Sequence, residues 1–438
     1  MHITSLPLYL LLLIAQASLT LAGPRAVLER AHRFALRRSH GLASDLRLAF
    51  GAVPPQKRQG RVLMKRGIYC IAGPGNSGLS HGPTSSGTGS TGDSGGNVGN
   101  GNSTSVSSGN PRGSSTRPAS TARPTNVAPS PWKLAESHEG SDFFRGWDFF
   151  TSADPTNGIV DYINEADGRS AGILSVNNNG NAVMRVETTP TVAANRKSIR
   201  ITTQSTWNGG LFIMDAVHMP TGCGTWPAFW SNGPDWPRGG EIDIVEGVHD
   251  YTNNQATLHT SPGCRLPSSD TSNLKISGSL IAGQDCAAAS TNNEGCGIRA
   301  PNSNSFGAGF NSNGGGVYVM QWDSDGVAIF FFPRGSVPAD ITAGAPQPTL
   351  WGLPQARFPA SGCNPSQFFN NHHLIFDTTL CGDWAGGVWN AAGIPGQEQS
   401  CAQRTGFSTC EAFVRANGAS FSQAFWEVQS VKIYQRQN

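Results

Sequence analysis

From residue 132 onward the chain is built of short runs in which apolar and aromatic residues alternate with polar ones or crowd together, broken by clusters of Gly, Asn, Pro and Ser. Residues 316–322 (GVYVMQW) and 327–332 (VAIFFF) are examples, and such runs between turn residues predict β-strands. Long stretches of 3.6-residue periodicity are absent. The pattern predicts an all-β sandwich of about 300 residues. One run breaks the pattern: Glu241-Ile242-Asp243-Ile244-Val245-Glu246 sets three acids among three aliphatics.

In a regular strand, positions i, i+2 and i+4 share a face, so Glu241 and Asp243 point one way and Glu246 the other. A β-bulge at Ile244-Val245 adds one residue and returns Glu246 to the acidic face, and bulges concentrate beside active sites. Carboxyls crowded on one face separate in proton affinity, which suits a glycosidase that needs one ionised carboxylate and one carboxylic acid. The plainer alternative is a solvated acidic edge strand. Trp226, Trp230 and Trp236 lie just upstream among Gly and Pro and offer flat apolar platforms suited to sugar faces. Downstream, Thr257-Leu258-His259-Thr260 alternates like the next strand and brings His259 beside the acids.

Before residue 132 the composition changes. All eleven Trp fall between Trp132 and Trp426, whereas residues 71–131 are mostly Gly, Ser, Thr, Pro and Asn with no aromatic residue. That stretch cannot offset chain entropy by burial and is expected to be a disordered linker, spanning 67–131. Asn102-Ser103-Thr104 within it is a glycosylation sequon. At the amino end, Leu6 to Ala22 is apolar with small residues Thr20 and Ala22 near its close, so 1–22 is expected to be a signal peptide. No Lys or Arg precedes the run, and an uncleaved anchor is the alternative; stable membrane insertion of the processed protein is not expected.

Between Arg25 and Arg66 stand eleven Lys or Arg against two acids, a local net of +9; the whole chain is +2, which leaves residues 67–438 at −7. Lys57-Arg58 and Lys65-Arg66 resemble processing-protease sites, so 23–66 is expected to leave as a basic propeptide; a basic segment kept for adhesion to the cell wall is the alternative. The acidic remainder argues against a nucleic-acid partner. Eight of the nine Cys lie in the folded segment 132–438, an even set that reads as disulfides in an extracellular protein. Eight Cys allow 105 pairings; Cys264 with Cys286 or Cys296, and Cys401 with Cys410, would close local loops. Cys70 is left over. No spacing suggests zinc, and neither metal nor cofactor is expected.

GTWPAFW, GGEIDIVEG and TLHT, with GWDFF at residues 146–150, LCGDWAG at 380–386 and FWEV at 425–428, resemble glycoside hydrolase family 16, specifically fungal laminarinase-like endo-1,3(4)-β-glucanases. The resemblance covers about Trp132 to Asn438. It implies a β-jelly-roll sandwich, retention of anomeric configuration, Glu241 as nucleophile, Asp243 as assisting acid and Glu246 as general acid/base. By family position, Trp226, Trp230, Trp236 and Trp384 bind substrate and His259 stands in the cleft, orienting an acid or a sugar hydroxyl, with a structural His as the alternative; Arg200, in Ser198-Ile199-Arg200-Ile201, is expected to reach the sugar. Trp147, Trp207, Trp322 and Trp426 are expected in the core or rim, and His372-His373 reads as a solvated strand start. The expected protein is a secreted, monomeric endo-β-glucanase cutting β-1,3 and mixed β-1,3/1,4 glucan. The rivals are a wall-remodelling transglycosylase, a non-catalytic glucan-binding module and an enzyme for a different glucan or galactan.

Overall fold

The computed structural model describes residues 129–437. The expected leader, propeptide, Cys70 and nearly all of the linker lie outside the described residues. The first strand begins at Trp132.

Two eight-stranded antiparallel sheets stack as a sandwich. One runs in the order Ser279–Leu280, Cys296–Arg299, Gln255–His259, Glu241–Glu246, Thr225–Asn232, His373–Leu380, Arg200–Thr203 and Trp147–Phe149. The other has Gly210–His218 and Phe425–Arg436 at its centre; the latter pairs with Gly210–His218 on one side and with Trp132–Glu139 and Ala182–Arg185 on the other. The main core lies between them. Phe229, Ile242, Leu258 and Phe376 of the first sheet meet Phe212, Met214, Met320, Trp322 and Val431 of the second. Each such side chain withdrawn from water contributes about 1.5–3 kcal/mol. The all-β architecture is the jelly-roll sandwich that the strand pattern and the family resemblance imply.

Trp147, Trp322 and Trp426 are core residues and Trp207 packs on the core's edge. The His372 reading is overturned: the ring is buried, bonded to Ser231 Oγ at 2.9 Å and to Gly239 O at 2.8 Å. Burial pushes its pKa down to about 4, so it is neutral. Partners more than a hundred residues distant cannot be read from a local dipeptide.

Four disulfides join Cys223–Cys401, Cys264–Cys363, Cys286–Cys296 and Cys381–Cys410. The suggested local loops Cys264–Cys286, Cys264–Cys296 and Cys401–Cys410 are therefore wrong. Cys264 and Cys286 are indeed neighbours, with the Cys286 N–H donating to Cys264 O at 3.1 Å, but their sulfurs bond elsewhere. Backbone adjacency does not fix side-chain direction.

The turn into the acidic strand depends on Gly240. Its φ is +78°, and a Cβ there would lie 2.3 Å from the Phe368 carbonyl oxygen and 2.3 Å from the Phe369 ring. Gly240→Ala should cost about 1–3 kcal/mol and lower Tm by several degrees. A melt unchanged within a degree would show that the turn tolerates a side chain.

Candidate active site

The six-residue strand divides three and three. Ile242, Ile244 and Val245 enter the core, while Glu241, Asp243 and Glu246 line a cleft of about 420 Å³. Only an irregular register permits that division. Asp243 pairs with Trp230 on one neighbour and Thr257 on the other, yet the next pairs are Val245–Phe229 and Glu246–Gln255. One extra residue is thus accommodated at Ile244-Val245, and the bulge turns Glu246 onto the face of the other two acids.

The expected binding residues converge on the same cleft: Trp226, Trp230, Trp236, His259, Trp384 and Arg200 all line it. Trp226 and Trp230 lie on the strand Thr225–Asn232 and not in a loop, on alternate positions facing the cleft with Ala228 between. Trp236 stands on the turn between this strand and the acidic one and is 45% exposed. Trp384 sits in a π-helical turn, Gly382–Gly386, directly after the strand His373–Leu380; its ring meets Trp226 edge-on at 5.6 Å. Arg200 is buried over the rings of Phe150 at 4.5 Å and Trp230 at 5.2 Å. His259 pairs with Glu241 across strands and brings Nε2 to 3.4 Å from Asp243 Oδ2.

Each of the three upstream indoles engages a different carboxyl. Trp226 Nε1 donates to Glu246 Oε1 at 2.8 Å and Trp230 Nε1 to Asp377 Oδ1 at 2.7 Å, and the Trp236 side chain hydrogen-bonds Glu241. The Trp are therefore donors as well as platforms, which fixes their rings and supplies polarity to a dry strand.

Asp377 was not anticipated, nor were Asp154, Asp383, Glu294 and Asn293 in the cleft walls. The signal for Asp377 was present: Leu374-Ile375-Phe376-Asp377 is another carboxyl at the end of an apolar run, and that strand runs beside Thr225–Asn232.

Burial raises all four of the inner carboxyls, because a low-dielectric site disfavours their charged forms. Glu241, less enclosed than the others, is pushed up to about 7 by desolvation and then by Asp243. Desolvation and the charge of Asp377 hold Asp243 well above its usual range. Desolvation and Asp243 do the same to Glu246, against the Trp226 hydrogen bond and His259. Asp377 is raised to about 6, with Arg200 the main opposing influence. The cluster therefore shares protons near neutrality, the condition for separate acid and nucleophile roles.

Glu241, Asp243 and His259 offer ligand atoms within 4.8 Å of one another, as do Cys223, Asp250 and Cys401. The two sulfurs of the second group are joined in a disulfide and hold no thiolate.

The family profile for XgeA-like catalytic GH16 domains matches residues 147–434. A probable glycosidase of Schizosaccharomyces pombe is 41% identical over 69% of this chain and 69% of its own length. A probable endo-1,3(4)-β-glucanase of Aspergillus niger is 43% identical over 70% of this chain but 41% of its own, and the endo-1,3(4)-β-glucanase xgeA of Emericella nidulans 40% over 70% and 48%. The chain thus spans less than half the length of these two relatives. Among solved structures, laminarinase 16A of Phanerochaete chrysosporium, with β-glucans in donor and acceptor sites, is 34% identical with a TM-score of 0.62, covering 69% of this chain and 99% of that one. An elongating family 16 β-1,3-glucosyltransferase is 35% identical with a TM-score of 0.63, covering 69% and 100%.

The raised affinity of Glu241 for its proton has a consequence for stability. Its folded pKa exceeds its unfolded one, so the native state loses stability as pH rises from about 4.5 through about 7. Glu241→Gln abolishes that loss. Between pH 4 and pH 8 the variant's Tm should gain a few degrees relative to the parent protein. Thermal melts at the two pH values measure this, and a constant difference would contradict it.

Proposed function

The chain belongs to glycoside hydrolase family 16, and from that premise we propose that it is a secreted, retaining endo-β-glucanase that cuts β-1,3 and mixed β-1,3/1,4 glucans. The observation that carries the reading is the bulged strand, which delivers Glu241, Asp243 and Glu246 together to one cleft walled by Trp. Secretion is supported by the four disulfides, which persist in oxidising compartments.

In this reading Glu241, as carboxylate, attacks the anomeric carbon. The glycosidic C–O bond breaks while Glu246 gives its proton to the departing oxygen, leaving a glycosyl ester on Glu241. Glu246, now a carboxylate, takes a proton from water as the water oxygen attacks the same carbon and releases Glu241. Burial and Asp243 keep Glu246 protonated at the start. Asp243 stands between the two glutamates in the strand, with His259 against it. The overall reaction consumes one water per bond cut.

A second reading is favoured by the similarity to the elongating glucosyltransferase: a sugar hydroxyl in place of water resolves the ester, and chains lengthen. Substrate charge is common to both readings. Seven carboxyl side chains and one guanidinium line the cleft; Asp154, Glu294 and Asp383 stand outside the proton-sharing group, and with the charge that group retains they make a field that suits neutral chains and repels anionic ones.

With an activated glycosyl donor, azide should yield an inverted glycosyl azide from Glu241→Ala, where it replaces the nucleophile. From Glu246→Ala it should yield a retained one, by attack on the covalent ester. The reverse pairing would sink the role assignment. Sizing products from defined oligosaccharides in the same assays separates hydrolysis from elongation. Sulfated laminarin should be cut on the order of tenfold more slowly than laminarin at low ionic strength, the gap narrowing with added salt. Equal initial rates would remove the electrostatic argument.

A further inference from the structure

Asp377 lies at the crossing of three cleft-forming strands. It pairs with Arg200 on one side and Ala228 on the other, and Ala228 pairs in turn with Glu246. The residue is 7% exposed and both carboxyl oxygens are used: Oδ1 accepts from Trp230 Nε1 at 2.7 Å and Oδ2 from Tyr162 OH at 3.3 Å. Tyr162 comes from the separate two-stranded pair Val160–Tyr162 and Arg196–Ser198, so the carboxyl ties that element to the sheet. Asp154, whose Oδ2 accepts from Thr379 at 2.6 Å, braces the same wall one cleft-facing position further along the strand.

An indole on a strand has two soft torsions and turns unless something pins it. Trp230 is held on two counts. The Arg200 guanidinium lies 5.2 Å from its ring, and the Nε1–H is anchored on a buried carboxylate, the stronger class of hydrogen bond. Trp230 is also the residue paired with Asp243 at the bulge, so its orientation and the position of the acids are set on the same rung.

We propose that Asp377 is a positioning residue for glucan binding: it fixes the Trp230 ring as a sugar platform beside Asp243 through the Nε1–Oδ1 hydrogen bond. The inference rests on the reading of the cleft as a β-glucan site. It assigns Asp377 no contact with the reacting bond; apart from its charge, which raises the proton affinity of Asp243, its effect falls on substrate binding, through the Trp.

The test measures kcat and KM on laminari-oligosaccharides for Asp377→Asn, Asp377→Ala, Trp230→Phe and the double variant Asp377→Ala/Trp230→Phe, each checked for an unaltered melt. Asn retains an acceptor for Nε1, and the Tyr162 hydroxyl can accept from its amide, so KM should stay within about threefold of the parent. Ala frees the indole, and KM should rise on the order of tenfold, with kcat within about threefold when each variant is compared at its own pH optimum, because loss of the Asp377 charge also lowers the proton affinity of Asp243. Trp230→Phe should raise KM similarly, and adding Asp377→Ala to it should change KM by less than about twofold, because both act through one contact. An unchanged KM in Asp377→Ala would overturn the inference, as would a double variant whose KM is the product of the two single effects. Should Asp377→Ala fail to fold, the other single variants decide: a KM within threefold in Trp230→Phe, or a tenfold rise in Asp377→Asn, overturns it. If the parent protein neither cuts nor binds laminari-oligosaccharides, the β-glucan reading fails instead, and that outcome is distinct from every one above.

Discussion

Three carboxyl groups on one strand of a sandwich, crowded together and largely buried along one cleft, set the constraint to which the surrounding structure answers. A charge moved into such surroundings without partners costs many kcal/mol, and the group takes up a proton instead. Here part of the cost is met by indole N–H donors, one for each of Glu241, Glu246 and Asp377, and part by His259 and Arg200. The remainder shows as raised proton affinity. The chemistry proposed for the cleft uses that remainder, since a carboxylic acid that stays protonated near neutrality can protonate a leaving oxygen.

The bulge and the indoles are two parts of one solution. Without the bulge at Ile244-Val245, the same six residues in a regular pleat would drive Glu246 into the core against residues such as Phe229 and Leu258. With it, both aliphatics remain buried and the acid emerges. The turn through Gly240 then sets where the strand begins, because the backbone there passes too close to Phe368 and Phe369 for any side chain. The geometry of the cleft acids is thus fixed largely by backbone irregularities on strands, which hold side chains more tightly than loops can.

Much of this was legible in the chain, and the gaps have physical causes. The acids at 241, 243 and 246 stood out because their neighbours are aliphatic, and bringing all three to one face called for a bulge at Ile244-Val245, where one is found. Asp377 carried the same kind of signal and went unread, because a single acid after an apolar run has meaning only once the strand beside it is known. His372 was misread for the same reason, its partners being Ser231 and Gly239. The disulfide pairings depend on which way each Cβ points, which spacing does not encode.

The segment Phe425–Arg436 occupies the middle of the sheet opposite the cleft, bonded to three other strands, although it follows every cleft residue in chain order. Translation is sequential, so the catalytic sheet leaves the ribosome before the strand that completes its backing layer. Until that strand arrives, Gly210–His218 and Ala182–Arg185 have no partner between them, and the aromatic layer between the sheets is unsealed. Such late, long-range pairing makes folding slow and leaves sticky intermediates open to capture. Closure of the sandwich therefore waits on Phe425–Arg436, the strand made last among those described, and until it pairs the cleft-bearing sheet has an incomplete layer behind it.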